Sequence, residues 1–241
     1  MKFWELTSKA FSEQVLGKID TVIIPLGTVE AHGMHCPLGT DDLIPENLAV
    51  AVEKLFDDKI LVAPTVNYGH SWYLAVFPGG LDVSTETLAA YLTDIGKSFL
   101  RWQVTKIVFL NGHGGNAGAL GIAAEKLADQ GASVLTIHWW MDYRKEILAV
   151  TTGQGHAGED ETAAVLALRP DLVDMSAASR NFARSIGDVR VRDIALHTYP
   201  GALSGDATLA TPEKGERILA AVAEAISRTI RAFQNGAYVE R

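Results

Sequence analysis

The sequence predicts an α/β protein, a three-layer α/β/α sandwich whose mostly parallel central sheet is covered by helices on both faces. Three observations carry this. Short apolar runs of strand length alternate with longer amphipathic segments, the pattern of parallel β-α-β units. Two of the runs open into polar loops rich in glycine and histidine, as strands do at the carboxyl edge of an open sheet. The 241 residues contain no fixed-period repeat and no Pro/Ser-rich linker, so 1–241 reads as one large domain.

Taken in order, Thr21–Leu26 is the first strand, and an apolar-periodic helix over 45–56 follows it. A second strand is expected over 60–66 and a helix over 84–102. In that helix Ser84 or Thr85 caps a stripe of Leu88, Tyr91, Leu92, Ile95 and Phe99. The third strand, 106–110, leads to a helix over 117–130, with Gly131 placed to end it. Ser133–His138 is the fourth strand. Helices over Glu159–Leu168 and Pro212–Gln234 complete the set, the last opened by Thr211 as cap and Pro212 in its first turn. Residues 170–210 carry no readable period.

Composition narrows the function. A chain of this length buries roughly 70–75% of its unfolded surface, so it folds without a structural metal, and any metal serves chemistry. A net charge of -8 argues against a nucleic-acid or anionic-membrane surface. No apolar run approaches the ~20 residues that span a bilayer. The single cysteine, Cys36, excludes an intrachain disulfide and suits a reducing compartment. Met1-Lys2-Phe3-Trp4-Glu5 meets charge before any apolar core of a signal peptide develops, so the expected location is cytoplasmic.

Three polar clusters sit at the ends of predicted elements. Thr28-Val29-Glu30-Ala31-His32-Gly33-Met34-His35, with Pro37-Leu38-Gly39-Thr40-Asp41-Asp42, follows the first strand. It supplies carboxylate and imidazole, the ligand types that hold Zn²⁺, Mn²⁺ or Fe²⁺. Asn111-Gly112-His113-Gly114-Gly115-Asn116 follows the third strand, where glycines allow close backbone approach and thrust His113 forward. Gly155-His156-Ala157-Gly158-Glu159-Asp160-Glu161-Thr162 opens a helix, whose dipole favours carboxylates in its first turn. Glu30 and His32 lie two apart, which on extended chain points both to one side.

The blocks PLGTVEAHGMHCPLGTDD, FLNGHGGN and GHAGEDET resemble, in order, the signature blocks of the creatininase family of metal-dependent amidohydrolases, with a weaker fourth echo at Gly205–Thr211. The blocks span 25–211. The resemblance implies the same α/β/α fold, a small-molecule substrate and a homo-oligomer, by family habit a hexamer. It implies one or two divalent metals per chain, zinc first, manganese or iron next. Glu30, Asp41 and His113 would hold one. His32 and Asp41 would begin a second site, with Asp41 bridging two cations about 3.5 Å apart. Creatininase itself has a glutamate ligand where this chain has Gly115, so the second metal must recruit another carboxylate: Glu161, with Glu159 behind it. Without one, the site holds a single metal.

The resemblance assigns His156 to proton transfer beside the substrate, with Glu159 assisting. His35 would orient Glu30 or Asp41 from behind. Cys36 reads as a small buried thiol. Tyr68, His70 and Trp140 are expected to line the substrate pocket, with Gly114 and Gly115 bringing backbone close to it. The expected reaction is hydrolysis of a cyclic amide or other non-peptide C–N bond. The alternatives within the family are removal of a formyl group from an aminopyrimidine nucleotide and cleavage of a cofactor-precursor peptide; a non-catalytic metal-binding scaffold is the rival from outside catalysis. Arg180, Arg184, Arg190 and Arg192 read as a solvated face or a subunit contact, and a phosphorylated substrate would give them another use.

Overall fold

A computed structural model of the chain describes residues 1–187 and 189–238. Its elements begin with α1 (Ser8–Gln14), β1 (Thr21–Leu26), α2 (Thr40–Lys54), β2 (Leu61–Val62), α3 (Thr85–Arg101), β3 (Lys106–Asn111), α4 (Ala117–Ala128) and β4 (Ser133–His138). Then come α5 (Trp139–Asp142), α6 (Arg144–Leu148), α7 (Glu159–Leu168), β5 (Arg180–Asn181), α8 (Ala195–Thr198), β6 (Gly205–Asp206) and α9 (Pro212–Gln234). The main sheet has the order β2-β1-β3-β4 with every pair parallel, and β5 with β6 forms a small antiparallel pair.

Strand alternation divides the core in two. Ile23, Val108, Leu110 and Ile137 face one side and pack with Leu48 and Val52 of α2, Val165 of α7, and Val222 and Ile226 of α9. Val22, Ile24, Leu26, Ile107 and Phe109 face the other and meet Leu88 and Leu92 of α3 and Leu120 and Leu127 of α4. A period of two buries one set on each face, which is why β1 is apolar from Val22 to Leu26 and buried at every position. Each fully buried Ile or Leu contributes about 1.5–3 kcal/mol. The α/β class, the mostly parallel sheet and the helices on both sides are as predicted. Among the described residues no helix is long and apolar enough to cross a membrane.

Two boundaries differ in ways that matter. The strand expected over 60–66 is only Leu61–Val62, because Pro64 has no N–H for the ladder; Val66 rejoins as a lone bridge to Leu26. The helix expected over 45–56 begins five residues earlier, at Thr40, with Pro45 inside it. Pro45 cannot donate, so the Asp41 carbonyl has no partner along the helix. That carbonyl faces the ends of β1 and β3 instead. A side chain at Gly27 or Gly112 would lie 2.2 or 2.1 Å from its oxygen, so both strand ends need glycine to admit the first turn of α2. This close approach carries Asp41 to the carboxyl edge of the sheet.

Candidate metal centre

Five side chains from four segments meet at that edge. Glu30 and His32 come from the loop after β1, Asp41 from the first turn of α2, His113 from the residues after β3, and Glu161 from the first turn of α7. All five are buried. His113 Nδ1 lies 2.9 Å from Asp41 Oδ2 and 3.3 Å from Glu30 Oε1. His32 Nε2 lies 2.9 Å from Asp41 Oδ1 and 3.7 Å from Glu161 Oε2. Two sets of ligand atoms share Asp41, Glu30–Asp41–His113 and His32–Asp41–Glu161, each within 4.8 Å, and a third, Glu30–His32–His156, overlaps both. Asp41 gives one oxygen to each of the first two.

Backbone carbonyls determine which ring nitrogen faces inward. His113 Nε2–H donates to the His70 carbonyl at 3.0 Å, and His32 Nδ1–H donates to that of Glu30 at 3.2 Å. His113 Nδ1 and His32 Nε2 are left as lone pairs aimed at carboxylates. Glu30 Oε1 and Asp41 Oδ2 are buried with no hydrogen-bond partner among the described residues. Acceptors that converge without a donor are satisfied by a cation, so the donor set fits divalent metal. A proton is the substitute. Burial opposes charge on His32, yet Asp41, with Glu161 and Glu30, lifts its pKa to about 10. His113 is likewise raised, against burial, chiefly by Glu30 and Asp41.

Around the sets stands a ring of supports. Ser71 donates its hydroxyl to Glu30 Oε2, and its own N–H donates to Asp82 at 2.9 Å. Asn116 accepts from the His70 N–H, and its amide donates to the Gly27 carbonyl and to Asn111 Oδ1. The Ala157 N–H donates to Glu161 Oε2 at 2.7 Å from a positive-φ conformation, a backbone strain held where it orients a carboxylate. Burial, with Asp41 and Asp160 nearby, raises the Glu161 pKa to about 8.

His156 stands beside both sets. Its Nε2–H donates to the Ala31 carbonyl at 2.8 Å, its Nδ1 lies 3.7 Å from Glu30 Oε1, and its ring is 4.2 Å from that of His32. Burial and His32 lower its pKa to about 4, which keeps the imidazole neutral. The site opens into a cavity of about 1290 Å³, lined on one side by His70, Ser71 and Tyr73 and elsewhere by Gly114, Gly115, Trp140 and Tyr199.

Several expectations are corrected here. Glu159 does not join the site. Its carboxylate is held by Lys214 of α9 at 2.5 Å and by the N–H and hydroxyl of Thr152, because the turn into α7 points residue 161 inward and residue 159 towards α9. His35 does not touch Glu30 or Asp41; its Nε2–H donates to the Thr162 hydroxyl, which donates to the Ala157 carbonyl and so braces the start of α7. Tyr68 is 59% exposed and absent from the cavity wall. Cys36 is half-buried with its thiol pushed up to about 12 by burial, consistent with a protonated thiol. A side chain at Gly115 would lie 2.0 Å from the His70 carbonyl oxygen and 2.5 Å from His113 Nε2, so no ligand fits there.

Sequence reasoning overlooked Ser71, Asp82 and Tyr199. Ser71 follows His70 directly but carries no distinguishing signal of its own, and Tyr199 lies in the segment 170–210 that has no readable period. Tyr199 stacks edge-on against His156, centroids 5.8 Å apart, and against Tyr73 at 5.7 Å.

The comparisons with known proteins converge on one family. The mycofactocin precursor peptide peptidase of Mycolicibacterium smegmatis is 33% identical over 231 residues, covering 92% of this chain and 89% of that protein. The creatinine amidohydrolase of Pseudomonas putida is 30% identical over 252 residues, covering 94% and 95%. A solved mutant creatininase of the Zn-Zn type superposes with a TM-score of 0.83 at 27% identity, over 95% of this chain and 96% of that one. The family model for creatininase, described as creatinine amidohydrolase, matches residues 4–230. With its fold and nearly its whole length accounted for, the chain belongs to the creatininase family.

Proposed function

We propose that this protein, a metal-dependent hydrolase of C–N bonds, holds two divalent cations between the ligand sets sharing Asp41 and opens a cyclic amide or another non-peptide C–N bond. The shared carboxylate carries the reading: Asp41 directs Oδ2 towards His113 and Oδ1 towards His32. Glu30 and His113 complete one set, and His32 and Glu161 the other. Bound there, such cations lower the pKa of a water and polarise a carbonyl. Zinc leads among the candidates, since mixed imidazole and carboxylate ligands suit it, with manganese or iron as alternatives.

The chain's own residues supply positioning and proton traffic. The His70 carbonyl and the Ser71 hydroxyl hold His113 and Glu30 in the orientation in which one nitrogen and one oxygen remain for ligation. His156, neutral and anchored through Nε2–H, has Nδ1 available to take a proton and pass it to the departing nitrogen; Glu30 Oε1 stabilises the charged ring in transit. Trp140, with its ring edge 3.8 Å from where a side chain of Gly114 would begin, is a wall for the substrate. We take the chain as one domain acting in the cytoplasm as a homo-oligomer, a reading supported by the family resemblance and the lone thiol.

The cavity's volume favours a second reading. At about 1290 Å³ it exceeds what a single small ring fills and accommodates the end of a peptide-derived substrate. One experiment tests the centre itself: metal content per chain in protein purified without chelator, beside His113→Ala and Glu161→Gln. Two metals per chain, falling to about one in Glu161→Gln, and loss of retention and turnover in a folded His113→Ala support the dinuclear reading. One metal unaffected by Glu161→Gln removes the second site, and full activity in His113→Ala removes the whole assignment.

A further inference from the structure

The four arginines of the unreadable segment have separate fates. Arg180 is exposed in β5, Arg184 lines a smaller neighbouring cavity, Arg192 is exposed, and Arg190 lines the main cavity. A second guanidinium reaches the same cavity from α6. Arg144 donates through Nη1 to Gln154 Oε1 at 2.7 Å, and Gln154 Nε2 donates to the Trp140 carbonyl at 2.9 Å. This relay orients an arginine that would otherwise sweep through solvent, and less side-chain entropy is then lost when it binds. No lysine lines the cavity among the described residues, so these two arginines are its permanent cations.

Their position relative to the metal centre follows from covalent geometry. Gln154 precedes His156 by two residues, Cα steps of about 3.8 Å each, and Arg144 is one hydrogen bond from Gln154. With the reach of the Gln154 side chain added, the guanidinium stands within about 15 Å of His156. Trp140, whose carbonyl ends the relay, has its ring over Gly114, the residue next to the ligand His113. A floor runs from His113 across Trp140 to Arg144.

The charges along that floor define the ligand. Glu30, Asp41 and Glu161 are occupied by the metal centre, and Asp82 by His70 and Ser71. Glu86 and Asp160 remain on the wall. They oppose a dianion more than a monoanion, so a planar, singly charged group suits the guanidinium fork best. We propose that Arg144, with Arg190 on the same cavity, forms a subsite for a carboxylate carried within about 15 Å of the scissile C–N bond, so that the substrate is an elongated carboxylic acid. The inference rests on the C–N hydrolase reading above and narrows its substrate class.

The test uses two probes with the same metal-chelating head and the same chain length, suberic monohydroxamate and its methyl ester. Both are titrated into metal-loaded protein, and the ratio of their Kd values is read. The free acid is expected to bind about tenfold more tightly than the ester. That ratio falls to near one in Arg144→Gln, falls partway in Arg190→Gln, inverts in Arg144→Glu and stays unchanged in Arg180→Gln. A ratio near one in the unmodified protein overturns the subsite, as does a preference that survives both Arg144→Gln and Arg190→Gln. If neither probe binds while metal is retained, the metal is closed to ligands from this cavity, and both the hydrolase reading of the cavity and this inference fail. Ester binding without acid preference leaves the metal centre standing and overturns the subsite alone.

Discussion

The His113 ring reaches the backbone of His70 through a single hydrogen bond, Nε2–H to carbonyl oxygen at 3.0 Å, and that bond selects the nitrogen that faces Glu30 and Asp41. Gly115 exists to leave room for it. The loop that carries His70 and Ser71 thus orients two proposed ligands at once, one through a carbonyl and one through a hydroxyl.

Gly115→Ala is therefore expected to push the His70 carbonyl aside and let the His113 ring turn. Because the nearest contact is backbone, the loop carrying the His70 carbonyl or the His113 ring itself must move. The variant should keep its fold and lose metal affinity by at least tenfold, in line with removal of an outer partner of a ligand histidine. Competitive chelation measured against the unmodified protein checks this, and unchanged affinity would show that the His70 bond is dispensable.

Lys214→Met separates structure from catalysis at Glu159. It leaves a buried carboxylate with only Thr152 as partner, at a cost of about 3 kcal/mol. Thermal unfolding should fall by several degrees while kcat and metal content hold. A collapse of kcat with unchanged Tm would return Glu159 to the catalytic machinery.

In metal-free protein His32 holds a proton in place of a cation. Burial works against that charge, but Asp41, Glu161 and Glu30 raise the pKa from 6.5 to about 10. A raised imidazole pKa contributes stability that is complete below pH 6.5 and lost as pH climbs towards about 10. The Tm of chelator-treated protein should decline across that window, and the decline should shrink in His32→Gln. A flat profile would mean that His32 is neutral without metal.

Tyr199 offers the reaction a donor. Burial, followed by Tyr73, Glu161 and Glu30, raises its pKa, so the hydroxyl stays protonated. Tyr199→Phe is expected to lower kcat about 10–100-fold with KM and metal content little changed, the signature of a donor to developing negative charge. An unaltered kcat would restrict Tyr199 to packing against His156.

Much was legible before any coordinates. Strand-length apolar runs declare a sheet: β1 is buried at every position, and β4, half-buried at the sheet edge, still falls where its run ends. Thr211 and Pro212 mark the start of α9 because capping chemistry is local. The proposed ligands also stand out, as imidazole and carboxylate gathered at the ends of strands, although His35 and Glu159 from the same clusters serve structure instead. Local chemistry misled at Pro45, which reads as a helix start and lies in a helix interior, because tertiary contact with Gly27 and Gly112 uses the carbonyl it frees.

The sequence by itself determined the fold class, the family and the inventory of ligand-type side chains, all properties that short windows of chain encode. Only the tertiary structure decided how that inventory is spent. Glu159 and Glu161 are chemically alike and two residues apart, yet one meets Lys214 and the other faces His32. His35 and His32 lie in one loop, yet one braces α7 and the other faces Asp41. A helix rotates its side chains by about 100° per residue, so neighbours in sequence face different surroundings. Which surroundings each one meets depends on segments far away in the chain.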